Sequence, residues 1–218
     1  MLRPDICLST GNCNLQTLQQ HLKKVQLAEI RFDLLNIPLP KLFSVFEISQ
    51  NLITTFRHNG ADIEYINNIY QTAIKKGTKY IDIDVNLPEV LRKNIQQLSI
   101  QNNTELILSY HNYIKTPSSI ELHSIIENMK NQNPNYIKVV CMAVTRADCA
   151  TVLGLYEKYS NLIAFCMGKI GSFTRIIAPL IGAPFTYASI EGCETAEGQI
   201  NYKKMENILN QLKPLNNE

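Results

Sequence analysis

Short apolar runs alternate with amphipathic stretches from one end of the chain to the other. Eight runs, mostly rich in Ile, Val, Phe and Tyr, predict strands: Asp5–Ser9, Ala28–Asp33, Leu52–Arg57, Lys79–Asp84, Glu105–Tyr110, Tyr136–Cys141, Leu162–Met167 and Pro184–Ala188. Spacings of three and four residues predict helices at Leu15/Leu18/Leu22, Ile63/Ile66/Tyr70/Ile74, Leu91/Ile95/Leu98, Leu122/Ile125/Ile126/Met129, Ala150/Leu153/Tyr156 and Met205/Ile208/Leu209/Leu212. The weakest helical signals follow the second and seventh strands. Several strands are apolar on both faces, as parallel strands covered by helices are. Eight β–α units in 218 residues suit a closed (β/α)8 TIM barrel, one domain over residues 1–218. An open doubly wound sheet is the alternative, but its common cofactor fingerprint G-x-G-x-x-G is missing: Ser9-Thr10-Gly11-Asn12-Cys13 after the first strand offers one glycine.

Composition narrows the function classes. With 21 basic and 19 acidic residues the formal charge is +2, and no dense Lys/Arg run offers nucleic acid or an acidic membrane a grip. No stretch approaches 18 consecutive apolar residues, and Met1-Leu2-Arg3-Pro4-Asp5 lacks the apolar core of a signal peptide, so a cytoplasmic protein is expected. The six cysteines (7, 13, 141, 149, 166 and 193) include no C-x-x-C pair and read as reduced and structural.

The informative residues are polar ones that interrupt apolar strands or directly follow them, because in a barrel the chemistry sits at the carboxyl ends of the strands. In Glu29-Ile30-Arg31-Phe32-Asp33, alternation puts three charged groups on one face, and three charges on a small lumen need partners or a ligand. Lys138 stands between Ile137 and Val139 in an otherwise apolar sixth strand. A desolvated ammonium near other cations loses its proton readily and becomes an amine able to attack a ketone; the alternative is a structural pair with Asp82 or Asp84. His111 closes the fifth strand, one strand before Lys138, and is a candidate general base. After the seventh strand, Gly168-Lys169-Ile170-Gly171-Ser172-Phe173-Thr174-Arg175 combines glycines with an arginine that can fork onto a carboxylate. Arg57 and Gly198-Gln199 add polar groups at the same rim.

Together, Glu29-Ile30-Arg31-Phe32-Asp33, Thr55-Phe56-Arg57, Ser109-Tyr110-His111-Asn112, Lys138-Val139-Val140, Met167-Gly168…Thr174-Arg175 and Gly198-Gln199-Ile200 resemble, in order and spacing, the type I 3-dehydroquinate dehydratases. The resemblance runs from about residue 4 to 212. It implies a (β/α)8 barrel, usually a homodimer, that needs no metal or diffusible cofactor. By resemblance, Lys138 is the lysine that forms a Schiff base with substrate, and His111 is the base that also returns a proton to the leaving hydroxyl. Arg175 and Gln199 resemble the groups holding the substrate carboxylate, and Glu29, Arg31 and Arg57 those holding its ring hydroxyls. Thr195 stands where the family usually has a serine.

Two departures stand out. The third-strand loop reads Arg57-His58-Asn59-Gly60-Ala61-Asp62, with Ala61 in place of the glutamate that usually orients the histidine. Asp82 is the expected replacement and Asp62 the expected cap of the following helix. The short amino terminus, which begins almost directly with the first strand, is expected to leave little room for a hairpin across the barrel floor. Two rival readings remain: an aldolase-like lyase with phosphate in the Gly168–Arg175 segment, and a non-catalytic barrel binding a shikimate-like metabolite, which only Ala61 supports.

Overall fold

The computed structural model describes residues 5–57 and 60–212; His58 and Asn59 of the third-strand loop, and the start of the chain, lie outside them. Eight parallel strands wind in sequence into a barrel: β1 (Asp5–Thr10), β2 (Leu27–Arg31), β3 (Leu52–Thr55), β4 (Tyr80–Asp84), β5 (Glu105–Asn112), β6 (Tyr136–Met142), β7 (Leu162–Met167) and β8 (Phe185–Ser189). The ladder runs β7-β6-β5-β4-β3-β2-β1-β8. Rings bridge the seam between β7 and β8, Phe165 and Tyr187 lying 5.8 Å apart.

Helices α1 (Leu15–Leu22), α3 (Ile63–Lys75), α4 (Glu89–Gln101), α5 (Ser119–Lys130), α6 (Arg146–Gly154) and α9 (Tyr202–Gln211) pack their apolar stripes against the outer face. Their starts are written in the sequence. Asp62 caps α3 by accepting from Tyr65 N, and Ser118 and Thr145 form capping boxes with Glu121 and Asp148. After β2 and β7, where helical periodicity is weakest, the chain makes only short helical pieces: α2 (Leu39–Leu42) running on into a 3-10 helix over Phe43–Glu47, then α7 (Gly168–Gly171) and α8 (Thr174–Ile177), the last continued by a 3-10 turn over Ala178–Leu180. No helix among the described residues is long and apolar enough to cross a membrane.

Most strand ends fall within one residue of the sequence expectation, and the carboxyl ends of β2, β3 and β5 differ by two. β2 stops at Arg31 and β3 at Thr55, so Asp33 and Arg57 leave the ladder and their side chains are free to turn toward neighbours. β5 instead runs on to Asn112, so His111 is held inside the strand opposite Val140.

Inside the barrel, alternate strands contribute layers of side chains. The floor is aromatic: Tyr80, Tyr136 and Phe185 meet at 6.0 to 6.4 Å between ring centroids. One step up, the same even-numbered strands and β2 supply Asp82, Lys138, Tyr187 and Glu29, all at most 4% exposed. A hydrophobic floor thus carries a charged layer, and that layer is the base of the site.

Candidate active site

Above the charged layer a cavity of about 90 Å³ opens at the carboxyl ends of the strands. Glu29, Arg31, Arg57, His111, Lys138, Arg175, Thr195 and Gln199 all line it, with Tyr113, Val140, Phe165, Met167, Tyr187 and Ala196. The sequence singled out the first eight; Asp82 lies beneath them.

Lys138 is paired. Its Nζ lies 2.8 Å from Asp82 Oδ2 and 3.4 Å from Glu29 Oε1, with the Tyr187 ring 4.0 Å away. The expectation of a desolvated ammonium set among cations is therefore corrected: the inward positions of β2 and β4 face Lys138 across the lumen with two carboxylates. Asp82 in turn takes both terminal nitrogens of Arg57 at 2.7 Å and a hydrogen bond from Ser109 at 2.6 Å. Burial opposes ionisation of Asp82, but Arg57 and Lys138 outweigh it and hold its pKa well below the usual range. Glu29 behaves alike: burial raises it, Lys138 and Arg31 lower it further, and it remains a carboxylate.

An ionised Glu29 accepts and never donates, which orders the hydroxyl chain above it. Ser9 donates to Glu29 at 2.6 Å, so Thr195, 2.8 Å from Ser9, donates to Ser9 and accepts from Gln199 Nε2 at 2.9 Å. Gln199 is fixed further by Thr195 N at 2.7 Å. The loop carrying both residues is pressed onto the turn after β7: Gly168 N donates to Glu197 O, and a Cβ on Gly198 would come within 2.3 Å of Gly168 O. Gly198, at φ +76°, is thus required both by its backbone conformation and by this approach.

His111 is enclosed and stacks on Tyr113 at 5.8 Å. Burial and the nearby Arg57 charge lower its pKa to about 4, so it is a neutral imidazole at pH 7. Its Nδ1 lies 3.4 Å from Asp84 Oδ2, ion-pair distance without hydrogen-bond alignment. Asp84, not Asp82, is the carboxylate beside the histidine, and register explains the correction. Asp84 pairs with Ser109, two residues below His111, whereas Asp82 pairs with Ile107, four below. Asp82 thus stands one inward step lower on β4 than Asp84, where Arg57, Ser109 and Lys138 take up its carboxylate. Ala61 packs against the apolar core.

Arg175 is held by backbone on both sides. Thr174 Oγ1 accepts from Cys166 N, and Arg175 O accepts from Thr186 Oγ1 at 2.6 Å. Its guanidinium lies 4.3 Å over the Phe165 ring, is 1% exposed, and has no protein partner at Nε or Nη2. Burial lowers its pKa to about 10, so it remains a cation at neutral pH, facing the cavity without an anion. Arg31 and Arg57, by contrast, each commit two of their three guanidinium nitrogens to a carboxylate, Asp33 and Asp82 respectively.

Sequence reasoning gave no role to Tyr187, Phe165, Ser9, Thr55 or Ser109. The three hydroxyl residues were findable by the criterion that found Lys138, being polar at inward positions of apolar strands. Tyr187 was hidden because an aromatic in a strand reads as core. In chemical terms, a primary amine, a neutral imidazole and an unneutralised guanidinium open onto one cavity.

Residues 6–216 match the family model described as type I 3-dehydroquinase. The 3-dehydroquinate dehydratase of Archaeoglobus fulgidus is 28% identical over 197 residues, covering 87% of this chain and 91% of that protein. The enzyme of the same name from Thermococcus onnurineus is 32% identical over 162 residues, covering 71% and 73%. Among solved structures, type I 3-dehydroquinate dehydratase from Clostridium difficile, with covalently modified comenic acid, superposes with a TM-score of 0.84 at 20% identity, covering 98% of this chain and 93% of that one.

Proposed function

The chain belongs to the type I 3-dehydroquinase family, and on that premise we propose that it removes water from 3-dehydroquinate through an imine on Lys138, with His111 as acid and base. The activity is that of a 3-dehydroquinate dehydratase, a hydro-lyase. Lys138 gives up a proton and attacks the substrate ketone as the free amine, and the carbinolamine takes a proton back as its hydroxyl leaves as water, so the net step turns ammonium and ketone into a protonated imine and one water. The charge on nitrogen is conserved, so Asp82 and Glu29 stabilise the iminium as they stabilise the ammonium. The iminium withdraws electrons from the adjacent carbon, and neutral His111 takes a proton there. The resulting enamine expels the β-hydroxyl as His111 returns the proton, and hydrolysis of the imine frees 3-dehydroshikimate and Lys138. Acid–base help from one histidine is worth typically 10²–10⁴-fold. The imine carries much of the rest.

The observation that carries this reading is that an unpartnered, buried guanidinium faces the same cavity as Lys138 and a neutral His111. Arg175 takes the substrate carboxylate with Gln199 and Thr195 beside it; Glu29, Arg31 and Arg57 border the ring hydroxyls. Asp84 lies beside the imidazole at ion-pair distance, which weighs against the non-catalytic barrel that Ala61 alone favoured. Borohydride reduction in the presence of 3-dehydroquinate, followed by peptide mass analysis, tests the proposal. A reduced adduct on the peptide containing Lys138 is expected; active enzyme with unmodified Lys138 would overturn it.

The reading is completed by one catalytic domain over residues 1–218, acting as a cytoplasmic homodimer. Support comes from the apolar side chains of Ile114 and Ile120, more than four-fifths exposed, and from six free thiols suited to a reducing compartment. Sedimentation and cell fractionation test these points.

A further inference from the structure

Strand β8 turns Phe185, Tyr187 and Ser189 inward. The Tyr187 ring packs against Phe165 and Phe185 and forms a wall beside Lys138, and a phenylalanine would do all of this equally well. The hydroxyl is what needs an explanation. It is fully enclosed, has no protein hydrogen-bond partner, and is given nothing to do by the mechanism above.

Buried polar atoms without partners are rare and costly, so their distribution carries information. Among the described residues they are His111 Nδ1, Arg175 Nε, Arg175 Nη2, Tyr187 Oη and Ser189 Oγ. All but Ser189 belong to residues lining the single cavity that holds Lys138. Arg175 Nε and Nη2 form one edge of the guanidinium, the edge that grips both oxygens of a carboxylate side-on. Each carboxylate oxygen then keeps a lone pair for another donor. The Phe165 ring lies between both residues, with the guanidinium 4.3 Å above it and the Tyr187 ring centroid 5.8 Å away, so the two residues carrying unpartnered donors share one wall of the cavity.

We infer that Tyr187 is a substrate-binding residue whose hydroxyl donates a hydrogen bond to the carboxylate received by Arg175. The anion is thus held by a three-donor cradle. This inference rests on the reading of Arg175 as the carboxylate receptor. Burial raises the tyrosine pKa well above its usual value, so the hydroxyl remains a donor throughout the working range.

The test uses shikimate, which has the ring and carboxylate but no ketone and cannot form an imine, together with its uncharged methyl ester. Calorimetric binding is measured on the full chain for the parent, Tyr187→Phe and Arg175→Gln. A hydrogen bond to a charged group is worth a factor on the order of 10 to 100 in affinity. Tyr187→Phe should therefore weaken shikimate by that factor, leave the ester unchanged, and melt no lower than the parent. If Tyr187→Phe binds the acid as tightly as the parent, or weakens acid and ester equally, while Arg175→Gln loses the acid, the inference falls and the Arg175 reading stands. If Arg175→Gln binds the acid normally, the carboxylate is held elsewhere and both fall.

Discussion

Replacing Lys138 with alanine removes the cation shared by two buried carboxylates, and the cost can be worked from the distances. At an effective dielectric of about 20, attraction across 2.8 Å to Asp82 is about 6 kcal/mol and across 3.4 Å to Glu29 about 5 kcal/mol. Desolvation of the ammonium cancels several kcal/mol of this, leaving a net loss of about 3–5 kcal/mol, the usual range for breaking a buried pair. Asp82 keeps its two-pronged contact with Arg57, so the loss falls mainly on Glu29, which keeps only the hydroxyls of Ser9 and Thr55. The pH dependence follows. In the parent, Lys138 and Arg31 hold Glu29 below its ordinary pKa against the pull of burial, so its stabilisation is present above the unfolded value and lost as pH falls. In Lys138→Ala the largest lowering influence is gone and burial remains, so the folded pKa rises above the unfolded one. The deficit is then full at pH 8 and shrinks toward pH 5 as Glu29 takes up a proton. Urea unfolding followed by circular dichroism at pH 8, 6.5 and 5 measures it, with Lys138→Arg alongside, which keeps the charge but cannot form an imine. A Lys138→Ala variant within about 1 kcal/mol of the parent at pH 8, or one whose deficit grows as pH falls, would refute this account of the pair.

His111→Ala should form the imine yet eliminate water about 10²–10⁴-fold more slowly, so intact mass spectra after borohydride treatment should show adduct accumulating; near-normal turnover would exclude His111 as the base. Asp84→Asn should lower turnover by roughly 10-fold to 100-fold, as loss of a group orienting an imidazole does. Because burial and Arg57 pull the His111 pKa down to about 4 against the raising influence of Asp84, the acid limb of kcat/KM should also move to lower pH in that variant. Arg175→Ala should weaken substrate binding by about 2–5 kcal/mol in direct titration, with the fold intact, since the residue has no protein ion pair to lose. Asp62→Ala should cost about 1 kcal/mol in urea unfolding, through loss of the α3 cap, and leave turnover unchanged.

Much of this protein is legible one segment at a time. Strand and helix periodicities, the Asp62 cap and the weak helices after β2 and β7 are local properties, because side-chain alternation and capping act within a few residues. The polar interruptions Glu29, His111, Lys138 and Arg175 are legible for the same reason: each is costly in its own strand or turn unless something compensates it. What compensates it is not local. The partners of Lys138 come from positions 56 and 109 residues away, brought within 3.4 Å by closure of the barrel. Sequence places Asp82 and Asp84 on the same face of β4, and only the stagger between β4 and β5 decides that Asp84 reaches His111 while Asp82 sinks to the lysine. Arg57 is likewise a rim cation in the sequence and Asp82's partner in the fold. An alternating pattern fixes which face a side chain takes. Its height in the barrel depends on register, set by how neighbouring strands and the helices behind them pack, and that height decides which charges meet.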